Sequence, residues 1–163
     1  MTIRFKKGKE DAHTLTCTRK DGSSTWSKIK GEYGPAHDLA HYVIETALQS
    51  SGGFYGLLMQ GYDISSFEEK GDRSWIGEEG IYIECVVMGL QYVTSGVTGP
   101  EGFNSLVKDA CEKQEIEPHH QFTPKQVAAC ISRYEHHLTA WHDLAPGGDI
   151  VLDFPVSELR LLD

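Results

Sequence analysis

Four residues in one stretch, His37, Asp38, His41 and Glu45, have the types and the spacing that chemistry requires. On an α-helix, at about 100° per residue, His37, His41 and Glu45 fall within roughly 80° of one another, with Asp38 beside them. Two histidines four apart can aim imidazole nitrogens at one ion. A carboxylate one turn further on can be a third ligand or can orient a ligating histidine from behind. The apolar residues Ala40, Val43, Ile44, Ala47 and Leu48 fill the adjoining sector. The stripe therefore lies at a core boundary, with one wall dry and the other open. A divalent ion, zinc first and iron or manganese next, is the cofactor that fits this pattern, with Asp38 as the carboxylate that would activate a metal-bound water. The alternative is an ordinary boundary helix, in which Asp38 complements the helix dipole and Glu45 is solvated.

A second element bears on the same site. Between Ile81 and Val93 the apolar residues point in many directions, as in a central, buried helix, yet Glu84 lies among them and Gln91 shares its face one heptad on. A buried carboxylate needs a partner, since an unpaired one costs several kcal/mol. His37 or His41, directly or through a metal, is the expected partner of Glu84. A further group, Glu135, His136, His137 and His142, lies on the last helical pattern beside its apolar stripe. His136 is expected to be exposed, and His142 is an additional ligand only if this helix packs against the first. His119 and His120, next to Pro118, read as loop surface.

The segment His-Asp-Leu-Ala-His resembles the His-Glu-x-x-His helix of zinc metalloproteases, with Asp38 where that family carries Glu. The likeness covers five residues, and the shorter Asp reaches less far toward a bound water, so it does not carry peptidase activity over. From Leu15 to Gly61 the chain resembles a group of small bacterial proteins of unassigned function. These share a strand pair with Asp-Gly at its turn, a His-Asp-Leu-x-His-Tyr-x-x-Glu helix and a Gly-Phe-rich segment. That resemblance implies a fold and no activity.

The elements that must position these residues follow from local signals. Ile3–Phe5, His13–Thr18 and Ser24–Ile29 read as strands, the last two joined by an Asp21-Gly22 turn, with Leu15, Cys17, Trp26 and Ile29 expected on the buried side. Gly34-Pro35 breaks the pattern, and a helix is predicted from Ala36 or His37 to the stop at Ser50-Ser51-Gly52-Gly53. Short helical pieces follow at 54–60 and near 63–66, then a surface loop at 68–73 and a long helix from Gly77 or Glu78 to Thr94. Pro100 opens a helix through Cys111, and Thr123-Pro124 caps the last helix, which runs to about Asp143. Residues 149–154 read as a closing strand. The fold class is therefore α+β: a small antiparallel sheet against four to five helices. One domain is expected, with a sheet over 1–31, a helical layer over 36–145 and the strand at 149–154.

Length and composition agree with this reading. The chain has 163 residues, 39% apolar and 24% charged, enough for one core and too few for two ordinary domains. No apolar run approaches a membrane span, and the charged start lacks a signal-peptide core, so the cytoplasm is the expected location. Cys17, Cys85, Cys111 and Cys130 are scattered, which suits reduced, structural thiols. Net charge is −9, split between eight Lys/Arg against three Asp/Glu in residues 1–31 and seven against 21 in the rest. The acidic body disfavours nucleic acid and anionic membranes. The basic hairpin with Arg19, Lys20, Trp26, Lys28 and Lys30 reads as edge protection. The expected partner is a small molecule or a protein, with a homo-oligomer compatible. Expected function is metal-assisted hydrolysis through the His-x-x-x-His helix. A non-catalytic binding domain with a structural His stripe is the alternative.

Overall fold

The computed structural model describes residues 1–10, 12–68 and 73–154. Three strands open the chain: β1 (Thr2–Lys6), β2 (Ala12–Thr18) and β3 (Ser24–Lys30). Six α-helices follow: α1 (Tyr33–Leu48), α2 (Phe54–Met59), α3 (Ile64–Glu68), α4 (Glu78–Thr94), α5 (Phe103–Lys113) and α6 (Pro124–Asp143). Strand β4 (Asp149–Asp153) closes the order. The sheet is antiparallel in the order β3-β2-β1-β4, packed on the helical layer, so the α+β architecture and the return of the last strand to the N-terminal sheet both hold.

Alternation along the strands decides which face is covered. Ile3, Phe5, Leu15 and Cys17 are fully or almost fully buried toward the helices. Trp26 departs from expectation: it is 60% exposed. It pairs with Thr16 on the outer face, because its neighbour Thr25 takes the inward position and accepts a hydrogen bond from the Ile64 amide at 2.9 Å. The hairpin is tied to α2 and α3 by Arg19. Its Nε donates to the Leu58 carbonyl at 2.6 Å, and its Nη2 reaches the Tyr62 carbonyl and Asp63. With the Arg19 side chain only 12% exposed, Arg19→Ala should lower the unfolding free energy by about 1.5–3 kcal/mol. Urea denaturation checks this, and a loss below about 0.5 kcal/mol would mean that solvent already satisfies these carbonyls.

Helix α1 begins three or four residues earlier than expected. Pro35 falls in its first turn, where backbone N–H groups have no intrahelical partner, so proline breaks nothing there. The helix ends on Gln49 in the left-handed region at φ 53°. It lies at the centre of the layer, against α4 and α6, with ten of its 16 residues buried. Helix α6 opens on a capping box between Thr123 and Gln126, with Pro124 at its first position. Trp141 near its end is fully buried, and its Nε1 donates to Glu32 at the start of α1 at 3.1 Å. All four cysteines are buried and free. Among the described residues no helix is long and apolar enough to cross a membrane.

Candidate metal centre

Helices α1 and α4 pack side by side, and the site forms where they meet. His41 is buried and His37 half-buried on α1, while Glu84 and Gln91 project from the facing side of α4. The His41 Nε2 lies 3.3 Å from Glu84 Oε1, and the His37 Nε2 lies 3.8 Å from Glu84 Oε2. One ligand atom from each of His37, His41 and Glu84 lies within 4.8 Å of the other two, so the group can hold a metal ion. Tetrahedral zinc with bonds near 2.0–2.1 Å separates its ligand atoms by about 3.4 Å, and the two measured nitrogen–oxygen separations lie on either side of that value.

Each imidazole is held from behind. His41 Nδ1–H donates to Glu45 Oε1 at 3.1 Å, and His37 Nδ1–H donates to Gln91 Oε1 at 3.2 Å. A side-chain oxygen on Nδ1 leaves Nε2 as the nitrogen that faces Glu84 in both rings, which is the arrangement of a ligating histidine with its orienting acceptor. Glu45 is itself fixed. It is fully buried, Oε1 also accepts the Tyr55 amide at 3.2 Å, and Oε2 accepts the Gly56 amide at 3.0 Å. The loop between α1 and α2 passes so close over this carboxylate that a Cβ at Gly53 would collide with it, which explains a glycine there in physical terms. Tyr55 Oη closes the arrangement by donating to the Asp38 carbonyl at 3.1 Å.

Electrostatics differ between the two rings. Burial alone would lower the His41 pKa, but the hydrogen bonds and charges of Glu45 and Glu84 outweigh it and push it up to about 10. His37 goes the other way: burial and the charge of His41 hold it below the ordinary imidazole value, against the pull of Glu84 and Gln91. Partial desolvation beside the histidines works against the Glu84 carboxylate, yet His41, His37 and Arg73 together lower its pKa. At neutral pH the metal-free site thus carries a neutral His37, a cationic His41 and an ionised Glu84.

The expected residues separate by position. Glu84 does meet both histidines, but it is not buried: its side chain is 57% exposed. The reason is that the described residues do not cover α4 on every side, since the row Ile81, Glu84, Cys85, Met88, Gln91 and Tyr92 lines an open cleft of about 1110 Å³. Glu45 lies behind His41 rather than in the ligand group. Asp38 neither lines the cleft nor joins that group. Burial raises its pKa to about 7, with His41 lowering it and Glu84 raising it. The α6 histidines stay apart from the site: His142 pairs with Glu32 at 3.6 Å, His137 packs edge-on to Tyr42 and His136 is exposed. His119 stacks on Tyr82, 3.3 Å from Glu78.

Sequence reasoning did not anticipate the amides of Tyr55 and Gly56, nor the rings that flank the pair. Tyr33 stacks on His37 at 5.7 Å and Phe54 tilts against His41 at 5.8 Å. The Gly-Phe segment after α1 was the available signal, since a chain turning back over a buried carboxylate needs small residues. Comparison with known protein families, curated proteins and solved structures finds no match to this chain.

Proposed function

We propose that this chain binds a divalent metal ion, zinc first and iron or manganese next, through His37, His41 and Glu84, and uses it in hydrolysis of a small molecule held in the cleft. The observation that carries the reading is the pairing of both Nδ1 atoms with side-chain oxygens while both Nε2 atoms face one carboxylate. Three protein ligands with a side open to a cleft leave a coordination position for water, which the ion acidifies to a pKa near 7. Asp38 does not line the cleft, so in this reading it bears on the site through its charge interactions with His41 and Glu84 rather than by touching the water.

A second reading has its own support. His41 lies between the carboxylates of Glu45 and Glu84, an ion-paired arrangement that is complete without a metal and would serve a non-catalytic binding domain.

Metal analysis of protein purified without chelator separates the two. The metal reading expects about one equivalent of ion by mass spectrometry and a rise in melting temperature on adding zinc. The double variant His37→Ala, His41→Ala should lose uptake by at least a hundredfold. No uptake by the wild type, or equal uptake by the double variant, overturns it.

A further inference from the structure

The residues Ile81, Glu84, Cys85, Met88, Gln91 and Tyr92 recur at steps of three and four along α4, so they form one face, and all six line the cleft. The face is about 17 Å long at 1.5 Å per residue. Its polar members are the two that contact the histidines, Gln91 through His37 and Glu84 through both rings. The lining is mainly apolar, with Phe54, Phe67 and Ile76 from the segments before α4 and Leu138 from α6, while Lys113 and Glu135 add charged groups from α5 and α6. An occupant matched to this lining is apolar along most of its length, with a polar end for Glu84 and the histidine pair.

Size and charge narrow the class. An extended alkyl chain fits within the 1110 Å³ of the cleft with room for a head group. Arg73 lines the same cleft as Glu84 and His37, so with the proposed ion in place this end would carry positive charge from both. That complements a carboxyl-type head and opposes an amine.

We propose that the cleft takes a linear amphiphile, a straight-chain carboxylic acid derivative, with its chain along α4 between Met88 and Leu138 and its head at Glu84 and the histidine pair. The position of the head rests on the proposed metal reading; the position of the chain does not.

The test has two arms. In the first, butanol, hexanol, octanol and decanol are titrated calorimetrically into the metal-free protein. Affinity should rise roughly fourfold per added methylene, and both Met88→Lys and Tyr92→Glu should flatten the series. Tyr92 is 43% exposed, so its variant tests the chain position even if the Met88 variant folds poorly. A flat series in the wild type, or an unchanged series in both variants, overturns the inference. In the second arm, zinc-loaded protein is titrated with acetohydroxamic and decanohydroxamic acids. The longer acid should bind at least tenfold more tightly than both the shorter acid and decanol. Equal binding of the two acids, with the alcohol series intact, overturns the placement of the head. If zinc is not taken up while the alcohol series holds, the metal reading fails and the chain site stands.

Discussion

Glu45→Ala should lower the unfolding free energy by about 3–5 kcal/mol, the usual result of removing one partner from a buried ion pair. The carboxylate is fully buried and holds three donors: the His41 ring and the amides of Tyr55 and Gly56. Alanine leaves all three without an acceptor and opens a cavity beneath Gly53. Against a typical total stability of about 5–15 kcal/mol, this loss is large enough to populate the unfolded state at growth temperature. Glu45→Gln keeps the shape and one acceptor oxygen, so its loss should be smaller, about 1–2 kcal/mol, and it should lower the His41 pKa. Chemical denaturation gives the first quantity and NMR titration of the His41 ring gives the second. A loss under about 1 kcal/mol for the alanine variant would mean that water replaces the carboxylate, which the tight loop at Gly53 does not accommodate.

The second large effect is on metal uptake. In the metal-free protein His41 is held protonated with a pKa of about 10, while His37 is neutral. An ion must displace the His41 proton to reach Nε2, so apparent affinity should rise at least about tenfold per pH unit, or about a hundredfold or more between pH 7 and pH 9. Competition with a chromophoric chelator measures the slope. Calorimetry in buffers of different protonation enthalpy should count about one proton released from His41, and up to one more where a metal-bound water ionises. Affinity independent of pH, or no proton released, contradicts this arrangement. Stability of the metal-free protein should follow the opposite trend. The raised His41 pKa contributes stability that is fully present below about pH 6.5, the unfolded histidine value, and that is lost as pH rises toward about 10. The bound ion takes over the positive charge between Glu45 and Glu84, so metal-loaded protein should not share the alkaline loss.

Much of the frame was legible because it depends on short-range signals. The Asp21-Gly22 turn, the Thr123-Pro124 cap and the alternation of β1 and β2 act within a few residues and survive in the folded chain. The stripe of His37, His41 and Glu45 was visible as helical spacing, and the meeting of Glu84 with both histidines followed from placing a carboxylate on a mostly apolar helix. What was not legible depends on what lies opposite. Trp26 was placed inside because it is large and apolar, but Thr25 won the inward position through its bond to Ile64. Glu84 was expected to be buried because its helix is apolar on many sides. Burial of a helix face requires a neighbour over it, and no spacing rule states that the described residues leave one face of α4 uncovered. The roles of Glu45 behind His41 and of Gln91 behind His37 arise from the packing of α1 against α2 and α4, which sequence spacing along one helix does not contain.

The sheet order has a consequence for how the chain is made. Strand β1 pairs with β2 on one side, close in sequence, and with β4 on the other, where Ile3 meets Leu152 and Phe5 meets Ile150. The first partner is available as soon as the hairpin emerges from the ribosome, and helices α1 and α4, which carry His37, His41 and Glu84, are complete by Thr94. The second partner arrives only after five further elements have been synthesised or folded beyond α1, including the whole of α6. During that interval β1 is an open edge with bare N–H and C=O groups, the kind of surface on which nascent chains pair with one another. Its alternate charged residues, Arg4 and Lys6, lie on the exposed face of that strand, and charge beside an open edge opposes such pairing.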